Sequence, residues 1–105
     1  MKDNVVKDKS LEFAVRIVNL YKFLVNEQKE FVMSKQILRS GTSIGANIRE
    51  AEQAQSRADF INKLNIALKE ANETEYWLEL LIRTEYITRE QYESINNDST
   101  DCLLY

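Results

Sequence analysis

No proline occurs anywhere in this chain of 105 residues, and its two glycines, Gly41 and Gly45, lie together in one segment, RSGTSIGANIREAE. Proline removes a backbone donor and glycine supplies the left-handed conformations of tight turns. A chain nearly without either is short of the residues that end helices and close hairpins. Helix is therefore the default expectation along its whole length. The composition, 44% apolar and 30% charged, is that of a folded helical chain rather than a disordered one. At this size a single domain over residues 1–105, with one core, is expected.

The apolar periodicity divides the chain into four helices. Leu11, Ala14, Ile17, Val18, Tyr21, Leu24 and Val25 recur at the three-and-four spacing of one face, which predicts a first helix over about 8–27, started by Asp8 or Ser10. Ile37, Gly41, Ile44, Ile48 and Ala51 define a second over about 34–53. Ser56 with Asp59 forms a capping box that opens a third helix over about 57–84, with Phe60, Leu64, Ala67, Leu68, Ala71, Leu78, Leu81 and Ile82 on its stripe. Thr88 with Gln91 opens a last helix over about 88–104, running through Tyr92 and Ile95 to Cys102 and Leu103. The run from Asn96 to Thr100 weakens that helix, because its side chains compete for backbone hydrogen bonds. Phe13, Leu20 and Phe23 on the first helix, and Ile66, Trp77 and Leu80 on the third, fall outside the narrow stripes. One buried face does not need them, so they are the candidates for an oligomer interface.

The glycine segment has two readings. A phosphate-binding loop requires a lysine after its glycines, and a dinucleotide fingerprint requires three glycines following a strand; GTSIGAN has neither. Read as helix, it places Gly41 on the buried stripe and Gly45 about a turn beyond. Each interior glycine then costs about 1 kcal/mol relative to alanine, a loss that close helix packing must offset.

Composition also narrows the chemistry. The chain has no histidine and one cysteine, Cys102, so it offers no Cys/His zinc site and no histidine-activated nucleophile. Glu70, Glu73, Glu75 and Glu79 lack the Glu-x-x-His motifs of a bundle di-metal site and read as a solvated acidic face. We therefore expect no enzyme, no cofactor and no metal, with Cys102 a small apolar filler. No apolar run approaches the roughly 20 residues that span a bilayer, and the N-terminus has no signal-peptide pattern, so a cytoplasmic protein without membrane contact is expected. The net charge is −3, which opposes non-specific binding to nucleic acid. Residues 1–56 nevertheless carry nine Lys/Arg against seven Asp/Glu, whereas 57–105 carry five against ten. Lys35, Arg39, Arg49 and Arg57 are the candidates for a local basic face that would contact nucleic acid.

The segments RSGTSIGANIREAEQAQS and DFINKLNIALKEANETEYWLELL resemble the proteins encoded within intervening sequences of bacterial 23S ribosomal RNA genes, over about residues 8–95. That resemblance implies an all-α, antiparallel up-down-up-down four-helix bundle that assembles as a homo-pentamer with no established enzymatic activity. It also implies a likeness to the accessory proteins of diversity-generating retroelements, which are basic bundles that bind nucleic acid and a reverse transcriptase. Carried over, the motif marks Arg39, Ser43, Asn47 and Glu50 on the second helix and Lys63, Lys69, Glu70 and Glu73 on the third as inter-helix polar positions. If the chain reverses between Gln53 and Ser56, antiparallel register sets Glu50 opposite Lys63, and Arg39 opposite Glu70 or Glu73. Each is either a register-fixing ion pair or a solvated charge, and exposed pairs add more to specificity than to stability. The expected role is a non-enzymatic homo-oligomeric interaction or scaffold protein; the alternative is an RNA- or DNA-binding accessory protein.

Overall fold

The computed structural model describes the backbone of residues 2–103 and the side chains of Val5 and residues 7–99. Its four helices are α1 (Lys2–Asn26), α2 (Met33–Glu52), α3 (Arg57–Arg83) and α4 (Arg89–Leu103). Backbones of α1 and α3 each approach those of α2 and α4, while the diagonal pairs do not meet among the described residues. This is an all-α, antiparallel up-down-up-down bundle with a square cross-section. Its long dimension, 43 Å, is close to the roughly 40 Å that α3 alone spans at about 1.5 Å per residue.

The helix starts are set by side chains. Ser56 Oγ accepts from the Asp59 N–H at 3.1 Å. Thr88 and Gln91 bond reciprocally: the Thr88 N–H donates to Gln91 Oε1 at 2.8 Å and the Gln91 N–H to Thr88 Oγ1 at 3.1 Å. The start of α2 uses a residue the sequence pattern did not single out. The buried Glu30 carboxylate accepts from the N–H groups of Val32, Met33 and Ser34 at 3.1, 2.9 and 2.7 Å. Burial pushes the Glu30 carboxyl up, but these donors outweigh it and leave it below the usual glutamate range. Contrary to expectation, α1 begins at Lys2 rather than near residue 8. Ser10 is not its cap but a buried interior residue whose hydroxyl donates to the Lys7 carbonyl at 2.9 Å.

The helix ends are made without glycine. Lys29 and Glu85 take positive φ, 55° and 66°, the left-handed region that L side chains occupy at a cost of about 1 kcal/mol or more. They let the Glu30 N–H reach the Leu24 carbonyl and the Tyr86 N–H reach the Leu81 carbonyl, both at 2.9 Å. Gln28 Nε2 donates to the Tyr86 carbonyl at 3.3 Å, tying the two turns together at one end of the bundle.

The core is built from Phe13, Ile17, Leu20 and Leu24 on α1, Ile37, Ile44 and Ile48 on α2, Ala67, Ala71, Leu78 and Leu81 on α3, and Ile87 and Ile95 near and on α4. Two interface candidates are thereby corrected: Phe13 and Leu20 are only 1% and 6% exposed and lie in the chain's own core. The physical reason is that α1 is a corner helix. It must bury one side against α2 and another against α4, and the second side is the one that looked surplus in a single-stripe pattern. Phe23 and Trp77 also pack on this core while remaining half-buried, and Ile66 and Leu80 are half-buried. The side chains of Cys102 and Leu103 lie outside the described residues, but the backbone of α4 continues through the polar run without a break.

Candidate functional site

The two glycines are a packing device on the α1 side of α2. A Cβ on Gly41 would stand 2.7 and 2.8 Å from Ile17 Cγ1 and Cγ2, closer than any real contact, and one on Gly45 would stand 3.3 Å from Ser10 Oγ. Ile17 is β-branched and stiff at χ1 in a helix, so it cannot swing away. Missing side chains on α2 thus let α1 settle close to it.

The opposite side of α2 meets α3 through polar groups. Lys63 Nζ lies 3.0 Å from Glu50 Oε1, and that bond raises the lysine's pKa. Arg39 reaches Glu70 at 3.5 Å and pairs with Glu73. The Trp77 indole donates to the same Glu73 carboxylate at 3.2 Å. The indole first and the guanidinium second hold the Glu73 carboxyl low, and Glu73 in turn holds Arg39 high. Beneath this exposed lattice, Thr74 Oγ1 donates to Ser40 Oγ at 3.0 Å in the buried seam. Both pairings expected from antiparallel register are therefore present, and the Ser40 to Thr74 contact is one the sequence reading missed. Its signal was two small hydroxyl residues on facing stripes.

Three of the inter-helix candidates are placed otherwise. Ser43 Oγ donates to the Arg39 carbonyl at 2.7 Å and Asn47 Nδ2 to the Ser43 carbonyl at 2.8 Å, so both fold back on α2. A side chain this short satisfies itself on its own preceding turn before it can span a helix interface. Lys69 is exposed and makes no ion pair among the described residues. Of the four basic candidates, Arg39 is committed to the α3 carboxylates. Lys35, Arg49 and Arg57 are exposed without an ion pair among the described residues. Two further ties went unforeseen, Lys7 to Glu52 at 3.3 Å and Arg16 to Asp98, which join α1 to α2 and to α4.

The fold leaves apolar surface uncovered. Leu11, Val15, Phe60, Ile61, Leu64 and Leu68 are 39% to 53% exposed. Phe60 and Leu64 stand on the same row as the buried Ala67, Ala71, Thr74, Leu78 and Leu81, at spacings of four and three. They had been expected in the core. Among the described residues α4 has 15 residues against 27 in α3, a difference of about 18 Å, and none of them reaches the end of α3 that carries these side chains. Among the described residues no group of three or more His, Cys, Asp or Glu could hold a metal ion. Among the described residues no helix is long and apolar enough to cross a membrane.

A family profile matches residues 2–103, the whole span of the four helices. This chain belongs to the 23S rRNA-intervening sequence protein family. A crystal structure of an S23 ribosomal protein family member from Bacteroides thetaiotaomicron VPI-5482, a protein of unknown function, superposes with a TM-score of 0.96. The two sequences are 97% identical, and the match covers 98% of this chain and 92% of that one. Among curated proteins, none matches this 23S rRNA-intervening sequence protein.

Proposed function

We propose that this protein acts without catalysis, as a cytoplasmic, self-assembling helical scaffold whose activity is to present surfaces. The observation that carries the reading is the uncovered apolar surface on α1 and α3, where eight large side chains are exposed among the described residues of two helices. Scattered apolar residues are ordinary on a monomer, but rows of them along a helix mark contact sites. A homo-pentamer is the subunit number we adopt, and it rests on the family resemblance. Light scattering on the purified protein tests the proposal: a stable multi-subunit mass at micromolar concentration is expected, and a clean monomer overturns it.

The second reading is an accessory protein that binds RNA or DNA, supported by Lys35, Arg49 and Arg57, which are exposed and make no ion pair among the described residues. It ranks lower because Arg39 is already paired and the chain carries a net charge of −3. Salt-dependent retention on heparin separates the two readings. Absence of binding at low salt removes the second and leaves the first intact.

A further inference from the structure

The seam between α1 and α2 has an outer rim as well as a buried floor. On α1, Lys7, Leu11, Val15, Val18 and Lys22 recur at spacings of four, four, three and four; on α2, Lys35, Leu38, Thr42, Gly45 and Arg49 recur at three, four, three and four. Each row holds one residue that meets the other helix: Lys7 pairs with Glu52, and Gly45 lies against Ser10. The remaining members are exposed or half-buried, so the rows run side by side on the solvent side of the seam. Leu11 and Val15 are 50% and 53% exposed, Val18 and Leu38 are half-buried, and Gly45 adds no side chain, which leaves a shallow apolar trough along the middle. The Thr42 hydroxyl is already bonded to the Leu38 carbonyl at 2.7 Å and needs no outside partner. The two ends of the trough differ in charge. The contacts of Lys7 with Glu52, Ser10 with Gly45 and Ile17 with Gly41 fix an antiparallel register that sets Lys22 opposite Lys35. Both lysines are exposed, neither makes an ion pair among the described residues, and no acid stands on either row at that end. At the other end Arg49 is accompanied by Asp8 and by the Lys7 to Glu52 pair, so charge there is balanced.

We propose that this trough receives one amphipathic helix of a different protein, with acidic residues in the turn that lies over Lys22 and Lys35 and apolar residues along Leu11, Val15 and Leu38. The inference rests on the reading that this protein presents surfaces, and it names the partner of one of them. Lys22 and Lys35 repel each other across the seam, and a carboxylate set between them replaces that repulsion with two attractions. The apolar middle takes the buried face of a helix whose anchors recur three and four apart. From Leu11 to Lys22 the trough runs about 16 Å along α1, the length of three turns of such a helix. A second copy of this chain fits the charges poorly. Turned on itself by a two-fold, the trough brings Arg49 with Asp8 to the lysines, which sets three bases, Lys22, Lys35 and Arg49, against the one acid Asp8 beside the closed Lys7 to Glu52 pair. The exposed α3 row carries a base of its own, Arg57, one turn before Ile61. A polyanion such as RNA would use the lysines but not the apolar middle.

Fluorescence anisotropy tests it on the whole chain. The probe is a labelled synthetic helix of about 18 residues, with glutamates in one end turn and leucines three and four apart behind them. It should bind with a Kd of about 10 to 100 μM at low salt. Lys22→Glu with Lys35→Glu should weaken that binding about tenfold or more and give the trough a preference for the same peptide with lysines in place of its glutamates. Leu11→Ser with Val15→Ser should weaken the acidic peptide about tenfold and leave its salt dependence unchanged. Circular dichroism checks that each variant keeps native helix content. If the charge-reversed variant does not fold, Lys22→Ala with Lys35→Ala takes its place, with an expected loss of about fivefold. No saturable binding, or no effect of charge reversal, overturns the inference. Equal binding by a peptide whose leucines are serines overturns it as well, since the lysines would then be a general polyanion site, RNA included. Light scattering separates this from the scaffold reading. The charge-reversed variant should keep the wild-type mass; loss of the assembly would make the trough a contact between copies and overturn the inference alone. A monomeric wild type that still binds the acidic peptide overturns self-assembly and leaves the trough.

Discussion

Adding one methyl group at each glycine should give opposite results. In Gly41→Ala the new Cβ meets Ile17 Cγ1 at 2.7 Å, Cγ2 at 2.8 Å and Cβ at 3.2 Å, against about 3.5 to 4.0 Å for a favourable carbon contact. Ile17 is fully buried and confined to one rotamer, so relief requires α1 to move off α2 by about 1 Å. Overpacking of this kind costs about 1 to 3 kcal/mol, and alanine recovers about 1 kcal/mol of helix propensity, so the variant should be destabilised by about 0 to 2 kcal/mol. In Gly45→Ala the nearest atom is Ser10 Oγ at 3.3 Å, with the Ser10 carbonyl oxygen at 3.4 Å. There the propensity gain prevails and about 0.5 to 1 kcal/mol of stabilisation is expected. The decisive comparison is Gly41→Ala in an Ile17→Ala background. Ile17→Ala alone should cost about 2 to 5 kcal/mol, but with the Cγ atoms gone the methyl at 41 becomes favourable, giving a coupling of about 1 kcal/mol or more. Urea unfolding followed by circular dichroism measures all of these, at one protein concentration because assembly shifts apparent stability. Equal stabilisation by alanine at both glycines would show that α1 does not lie close to Gly41, and the reasoning would fail.

Other perturbations bear on the joints and the seam. Glu30 has a folded pKa below its unfolded value, so its stabilisation is complete at neutral pH and is lost as pH falls through the lower folded value. Unfolding curves taken from neutrality to about pH 3 should therefore be less pH-dependent for Glu30→Gln than for the wild type, and identical slopes would contradict the capping role. Glu30→Ala should cost about 1 to 2 kcal/mol at neutral pH in the same assay. Thr74→Val removes the buried hydroxyl contact with Ser40 and should cost about 1 kcal/mol, while Thr74→Val with Ser40→Ala should cost less than the two single changes together. Lys29→Gly and Glu85→Gly relieve a left-handed backbone and should be neutral or stabilising by up to about 1 kcal/mol; a loss greater than that would mean the side chains make contacts that matter more than the strain.

How much the sequence disclosed depends on whether a feature is local. The caps at Ser56 and Thr88 are four-residue motifs; Thr88 and Gln91 form both bonds of the box, and Ser56 accepts from the Asp59 N–H. The buried row of α2 was legible because every apolar residue on it faces the same way, and the Glu50 and Arg39 partners followed once the helices were set antiparallel. The C-terminal ends of α1 and α3, at Asn26 and Arg83, fall within one residue of the polar stretches expected to stop them, but the turns that follow were not legible, since Lys29 and Glu85 do without glycine what glycine usually does. On α1, Ile17 and Leu24 were read correctly as core, but Phe13 and Leu20 were not, because periodicity counts apolar residues and not neighbouring helices; both lie beside α4, whose position no local pattern specifies. The exposure of Leu64 and Leu68 has the same origin in reverse. Their spacing says core, and only the length of a different helix says otherwise.

That difference in length also sets a gradient of local opening along the bundle. At the end holding Lys29 and Glu85, all four helices brace one another around Leu24, Ile37, Leu78 and Leu81. Toward the other end α3 has no facing α4 residue among the described residues, Ser10 and Gly45 narrow the seam between α1 and α2, and the small Ala67 stands on the buried row of α3. Amides around residues 60–68 should therefore exchange with solvent through partial openings well below the free energy of global unfolding, while those around 74–81 wait for the whole bundle. A subunit or partner settling on that row would slow exchange in this one stretch and leave the rest of the chain unchanged.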